Sequence, residues 1–103
     1  MLFFVARIAG RAVGCGALVL EDGWGEIKRM YVDPGERRRG IGRAVLAAIE
    51  DAARSRGCAL LQLEMGNLQP EALALYRSCG YRLCGPFADY GSSGTSIYLR
   101  KDL

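Results

Sequence analysis

The stretch Gly35–Glu50, GERRRGIGRAVLAAIE, decides how the chain is read. Its first nine positions hold four arginines and three glycines, and the remainder is a smooth apolar-periodic run. Ile41, Val45, Ala48, Ile49 and Ala52 recur at helical spacing among alanines, which predicts a helix over Ile41–Arg56. Arg54 and Arg56 suit the negative end of that helix, and Gly57 suits the residue just past it. Upstream, Asp33-Pro34-Gly35 halts an extended run. The stretch is therefore a strand, a glycine-rich loop and a helix entry. Gly40 and Gly42 permit unusual backbone angles and close approach of a ligand. The first turn of a helix has unbonded N–H groups and partial positive charge, so it can hold a phosphate or pyrophosphate. Arg38, Arg39 and Arg43 would add bidentate donors. The residues alone leave two readings open: a cradle for a phosphorylated ligand, or an ordinary loop with a solvated basic face.

Working outward, Leu2–Ile8 and Ala12–Leu20 are rich in strand formers and are separated by the tight turn Ala9-Gly10-Arg11. Glu21-Asp22-Gly23 marks the next turn, and Trp24–Val32 reads as a third antiparallel strand. Gly14 and Gly16 interrupt the second strand and mark a bulge or a close contact. After the helix, Ala59–Met65 is a short apolar strand, and the strand–helix–strand unit predicts parallel pairing. Pro70 opens a second helix running to about Cys79, ended by Gly80. YRLCGPF (81–87) and TSIYLRKDL (95–103) read as closing strands joined through GSSG (91–94). The fold class is mixed α/β (α+β): a mostly antiparallel sheet with two main helices, in the order β-β-β-α-β-α-β-β.

The length of 103 residues fits one domain, residues 1–103. The net charge of +3 is too mild to argue for nucleic acid by itself. Lys28, Arg29 and Arg37–Arg39 cluster, but interleaved aromatics and a helix-turn-helix pattern are both missing, so no nucleic-acid partner is expected. The apolar N-terminus lacks a leading basic region and is interrupted by Arg7 and Arg11, which argues against a signal peptide or a membrane span. A cytoplasmic location is expected. Cys15, Cys58, Cys79 and Cys84 form no Cys-x-x-Cys pair and the chain has no histidine, so no metal site is expected. The cysteines read as small hydrophobes in a reducing compartment, with a Cys79–Cys84 bridge as the alternative.

The loop is not a Walker A loop, which needs Gly-Lys-Ser/Thr. Nor is it the dinucleotide fingerprint, because Val45 stands at the third glycine. Instead RRRGIG, starting at Arg37, resembles the Arg/Gln-x-x-Gly-x-Gly/Ala motif of the GNAT superfamily of N-acetyltransferases, in the same setting after MYVDP and before a long helix. Downstream, EALALYRSCGYR resembles the second block of that superfamily. Two blocks in order are more specific than either alone, and the resemblance covers roughly Val13 to Leu103. It implies acetyl-coenzyme A as the phosphorylated ligand, with Arg37, Arg38, Arg39, Gly40, Ile41, Gly42 and Arg43 at its pyrophosphate. Arg39 and Arg43 are expected to meet phosphate. The strand edge Met30, Tyr31 and Val32 would pair with the pantetheine amides inside a V-shaped opening beside Leu61. Asn67 and Gln69 sit where the family often has a polar residue at the cofactor arm.

Acetyl transfer to an amine needs a base for the amine and an acid for the departing thiolate. Without histidine, the acid–base work falls to Tyr, Glu or Asp. The resemblance implies Tyr76 as the acid; the residues alone favour an apolar-face residue of the second helix. Glu26 lies eleven positions before Arg37, the interval at which histone-acetylating members carry a base. Alternation along the strand puts Glu26 on one face with Lys28, Met30 and Val32. A surface ion pair is its alternative role, and Glu64 is a second carboxylate candidate. The implied function is N-acetyl transfer from acetyl-CoA to a primary amine by direct attack in a ternary complex; the alternative is a non-catalytic acyl-CoA-binding or regulatory module. The family's usual first strand and helices would precede Met1. Without them an apolar edge at MLFF would be open, and a homodimer is one way to cover it.

Overall fold

The computed structural model describes residues 1–88 and 94–103. The strands are β1 (Leu2–Ile8), β2 (Arg11–Leu20), β3 (Trp24–Val32), β4 (Leu60–Gly66), β5 (Arg82–Cys84) and β6 (Ser96–Asp102), with helices α1 (Ile41–Ser55) and α2 (Pro70–Ser78). A single 3-10 turn, Pro34–Glu36, joins β3 to the glycine loop. The sheet order is β1-β2-β3-β4-β6-β5, antiparallel throughout except for β3 beside β4. This is the expected mixed architecture. β5 is shorter than expected because Gly85-Pro86 follows Cys84, and proline has no N–H to give a ladder. The expected GSSG turn, apart from Gly94, lies outside the described residues.

One face of the sheet carries both helices. Val45, Leu46, Ile49 and Ala53 of α1 are buried against Leu18, Ile27, Leu61, Leu63 and Leu99. The other face carries Trp24, Phe87 and Tyr98, packed edge to face at 5.8 and 5.7 Å between ring centres. β1 is an outer strand whose Phe3 and Val5 are exposed. Arg29 lies 5.9 Å from the centre of the Phe3 ring.

The glycines of β2 answer to close contact. A Cβ on Gly14 would come within 2.7 Å of Ile41, and one on Gly16 within 2.6 Å of Met30 and 2.9 Å of Val45. Both let α1 lie directly on the strand. The register also slips twice. Between β1 and β2, Val13 is left without a partner, since Ala6 faces Gly14 and Arg7 faces Ala12. Between β2 and β3 the pairing passes from Ala17↔Lys28 to Cys15↔Tyr31. Arg29 and Met30 thus oppose the single residue Gly16, and Arg29 takes up the extra length with φ +58°.

That slip corrects the alternation expected for β3. Ile27 pairs with Leu18 and faces the helices, so Glu26 and Lys28 face the opposite side. After the bulge, Met30 and Val32 pack toward α1. Glu26 therefore shares a face with Lys28 but not with Met30 or Val32.

Candidate active site

The same bulge opens the sheet. β3 and β4 pair only over Trp24–Ile27 and Leu60–Leu63. Beyond Ile27, β3 keeps β2 on one side, and its other edge carries no strand among the described residues. The gap is a cleft of about 220 Å³ whose lining includes Lys28, Met30, Glu64, Gly66, Gln69 and Tyr76. An unpaired strand edge beside a narrow slot suits an extended ligand that carries amides.

Tyr76 reaches the cleft from α2. It is buried, and its hydroxyl has no hydrogen-bond partner among the described residues. Burial pushes its ionisation up to about 12. It is therefore protonated at every ordinary pH, the state a proton donor needs. The carboxylate in the cleft is Glu64, whose Oε2 accepts a hydrogen bond from Ser96 Oγ at 2.7 Å. Glu26 lies one strand over on the same face of the sheet as Glu64, buried and outside the cleft lining, 3.7 Å from Lys28 Nζ.

The glycine loop follows the end of β3 through the 3-10 turn. Arg38 and Gly40 both adopt left-handed backbone, φ +68° and +78°. Gly40 is the N-cap of α1 and no side chain caps the helix. The first intrahelical bond runs from Ala44 N–H to Gly40 C=O, leaving the N–H groups of Ile41, Gly42 and Arg43 directed out of the helix. Such donors fit an anionic group. Gly42 has a further reason to be glycine: a Cβ there would meet Leu75 of α2 at 2.7 Å, so it lets the two helices touch.

The loop arginines take different internal partners. Glu36, buried in the 3-10 turn, accepts from Arg11 at 2.6 Å and from Arg39 at 2.5 Å, and these contacts hold its carboxyl below the usual range. Arg37 lies 3.6 Å from Glu71, and Arg43 donates to Ser78 Oγ at 3.0 Å. Arg39 and Arg43 thus brace the loop and the helix pair. Arg38 makes no ion pair or hydrogen bond among the described residues. Asn67 is also occupied, giving its Nδ2 to Gly94 C=O at 3.1 Å, whereas Gln69 lines the cleft. Tyr31 is exposed beside the unpaired edge.

Sequence reading missed two parts of this arrangement, the place of the bulge in β3 and the partners of Glu36. The bulge at Arg29 depends on a glycine in the neighbouring strand. Glu36 shows only an i,i+3 relation to Arg39. The placement of Gln69 follows from contact with Gly66 across the β4–α2 turn, where a Cβ would lie 3.3 Å from Gln69 Nε2. All four cysteines are free, and the described residues contain no group of three metal-binding side chains. No helix among them is long and apolar enough to cross a membrane.

Comparison with known proteins places this geometry in a family. The model of the family described as "Acetyltransferase (GNAT) domain" matches residues 1–83. An IAA acetyltransferase of Azospirillum brasilense is 47% identical over 103 residues, covering 98% of this chain and 67% of the relative. A crystal structure from Klebsiella pneumoniae, assigned as an acyl-CoA N-acyltransferase, superposes with a TM-score of 0.95 at 44% identity, covering 98% of this chain and 71% of that one. The ribosomal-protein-S18-alanine N-acetyltransferase of Escherichia coli gives a TM-score of 0.81 at 26% identity, covering 98% and 68%. The family pattern spans most of the chain and the fold is shared from end to end, so the chain belongs to the GNAT acetyltransferase family and is an acyltransferase.

Proposed function

We propose that the protein moves the acetyl group of acetyl-CoA to a primary amine by direct attack while both are bound. The observation that carries this reading is the buried Tyr76 hydroxyl, unpartnered among the described residues, in a cleft opened by an unpaired strand edge. Acetyl-CoA supplies an activated thioester carbonyl. The chain's residues do the rest. The N–H groups of Ile41, Gly42 and Arg43 and the Arg38 side chain hold the pyrophosphate, and the Met30–Val32 edge holds the pantetheine arm. Tyr76 keeps a proton for the departing sulfur. Glu64, fixed by Ser96, receives the proton of the amine, in preference to Glu26, which lies outside the cleft lining.

Calorimetric titration with coenzyme A tests binding, and thiol release across a panel of amines tests turnover. Binding with turnover is expected, and no heat at millimolar coenzyme A would overturn the reading; binding without turnover on any amine would favour the non-catalytic module. Glu64→Gln is expected to lower kcat about 100-fold, and Glu26→Gln by less than about tenfold. The reverse order would return the base to Glu26.

A further inference from the structure

Behind the cleft, three side chains far apart in sequence meet under the α1–α2 pair. Glu50 of α1 is buried on the helix's apolar side. Lys101 of β6 donates to both Glu50 oxygens at 3.1 Å and to the Cys79 carbonyl, at the end of α2, at 2.8 Å. Tyr81 donates its hydroxyl to Glu50 Oε2 at 2.8 Å, and the Lys101 ammonium lies 5.5 Å from the centre of its ring. Gly80, at φ +94°, lets the Lys101 stem pass: a Cβ there would lie 3.4 Å from Lys101 Cε.

The cluster also reaches Tyr76. The Tyr81 N–H donates to the Tyr76 carbonyl at 3.0 Å, and the two rings meet edge to face at 5.9 Å. A buried ion pair is not needed to hold two helices together, because apolar side chains of equal volume do so with no desolvation cost. Directional contacts give instead a fixed height and rotation. We infer that Glu50, Tyr81 and Lys101 form a positioning unit that sets the end of α2 so that the Tyr76 hydroxyl stands in the cleft. The unit touches neither substrate. It rests on the reading of Tyr76 as proton donor.

The test is a double-mutant cycle. Tyr81→Phe removes one hydroxyl and keeps the ring. It is expected to lower kcat about tenfold, since small misplacements of a catalytic group cost that much or more, while the coenzyme A Kd by calorimetry changes less than about twofold. In a Tyr76→Phe background the same change should cost less than about twofold, because the group being positioned is gone. Lys101→Met should behave alike; if it fails to fold, Tyr81→Phe still decides. An equal loss in both backgrounds, a coenzyme A affinity falling in step with kcat, or an unchanged kcat in Tyr81→Phe would overturn the positioning role. Wild-type kcat in Tyr76→Phe alone would instead overturn the proton-donor reading on which the unit rests.

Discussion

The two halves of β3 lie on one strand beside one neighbour and behave differently. Trp24–Ile27 is zipped to β4 in parallel register, with Ile27 in the core. Lys28–Val32 keeps only β2 among the described residues, and its other edge faces the cleft. What separates them is one extra residue at Arg29–Met30 opposite Gly16, which turns the side chains over and steers the strand away. The cleft is thus a product of strand register, built from rigid elements, and the closed half holds the open half in place.

The largest effect should come from the residue that gives the open half its chemistry. Tyr76→Phe is expected to lower kcat about 100-fold or more, within the usual range for a lost general acid. Coenzyme A binding should stay nearly unchanged, because the hydroxyl has no ground-state partner among the described residues. Steady-state kinetics beside calorimetry separates the two quantities, and a loss confined to KM would deny Tyr76 its role. Its ionisation, raised from 10.0 to about 12 by burial, also has a stability consequence. The folded state keeps the proton longer than the unfolded chain, so the contribution is complete below about pH 10 and is lost as pH rises through about 12. Urea melts from pH 9 to 11 should therefore show less decline in Tyr76→Phe than in the wild type.

A smaller effect, on stability, should follow from disturbing the boundary between the halves. Gly16→Val would place atoms against Met30, Val45 and Ile49 at once. The expected loss is about 2 kcal/mol, typical of overpacking, with coenzyme A affinity reduced as α1 and its loop are pushed away. A loss under about 0.5 kcal/mol in urea melts, the level of an indifferent surface change, would show that α1 can shift freely and that the cleft is not held as rigidly as the register implies.

The parts legible in sequence are those with a local period. β1 and β3 keep their expected bounds because strand formers and turn residues mark them, and α1 ends one residue early, at Ser55, with its apolar residues at helical spacing as expected. The place of Tyr76 near the end of α2 was legible because Pro70 and Gly80 bound that helix. The bulge was legible only as one of two meanings of Gly16: nothing in WGEIKRMYV distinguishes Arg29, which takes up the extra length opposite that glycine. The same reason hides the arginines' partners. Glu36, Glu71 and Ser78 come to them through the 3-10 turn and α2. Four similar side chains in one stretch therefore acquire different roles only on folding.

Among those arginines, Arg38 offers the finest test of the open half. It is the loop arginine without an internal partner among the described residues, on a backbone at φ +68° that carries a penalty for any residue with a Cβ. Arg38→Ala removes the charge and keeps the penalty; Arg38→Gly removes both. If the side chain serves phosphate, both variants should weaken coenzyme A binding about three- to tenfold, the worth of one solvent-exposed charge-assisted contact, and added salt should narrow their gap to the wild type. Arg38→Gly should also be slightly the more stable of the two. Equal affinity for wild type and Arg38→Ala would assign the phosphate to the backbone donors of Ile41–Arg43 alone. In that case Arg37 and Arg39 serve the architecture of the loop, through Glu71 and Glu36, more than its ligand.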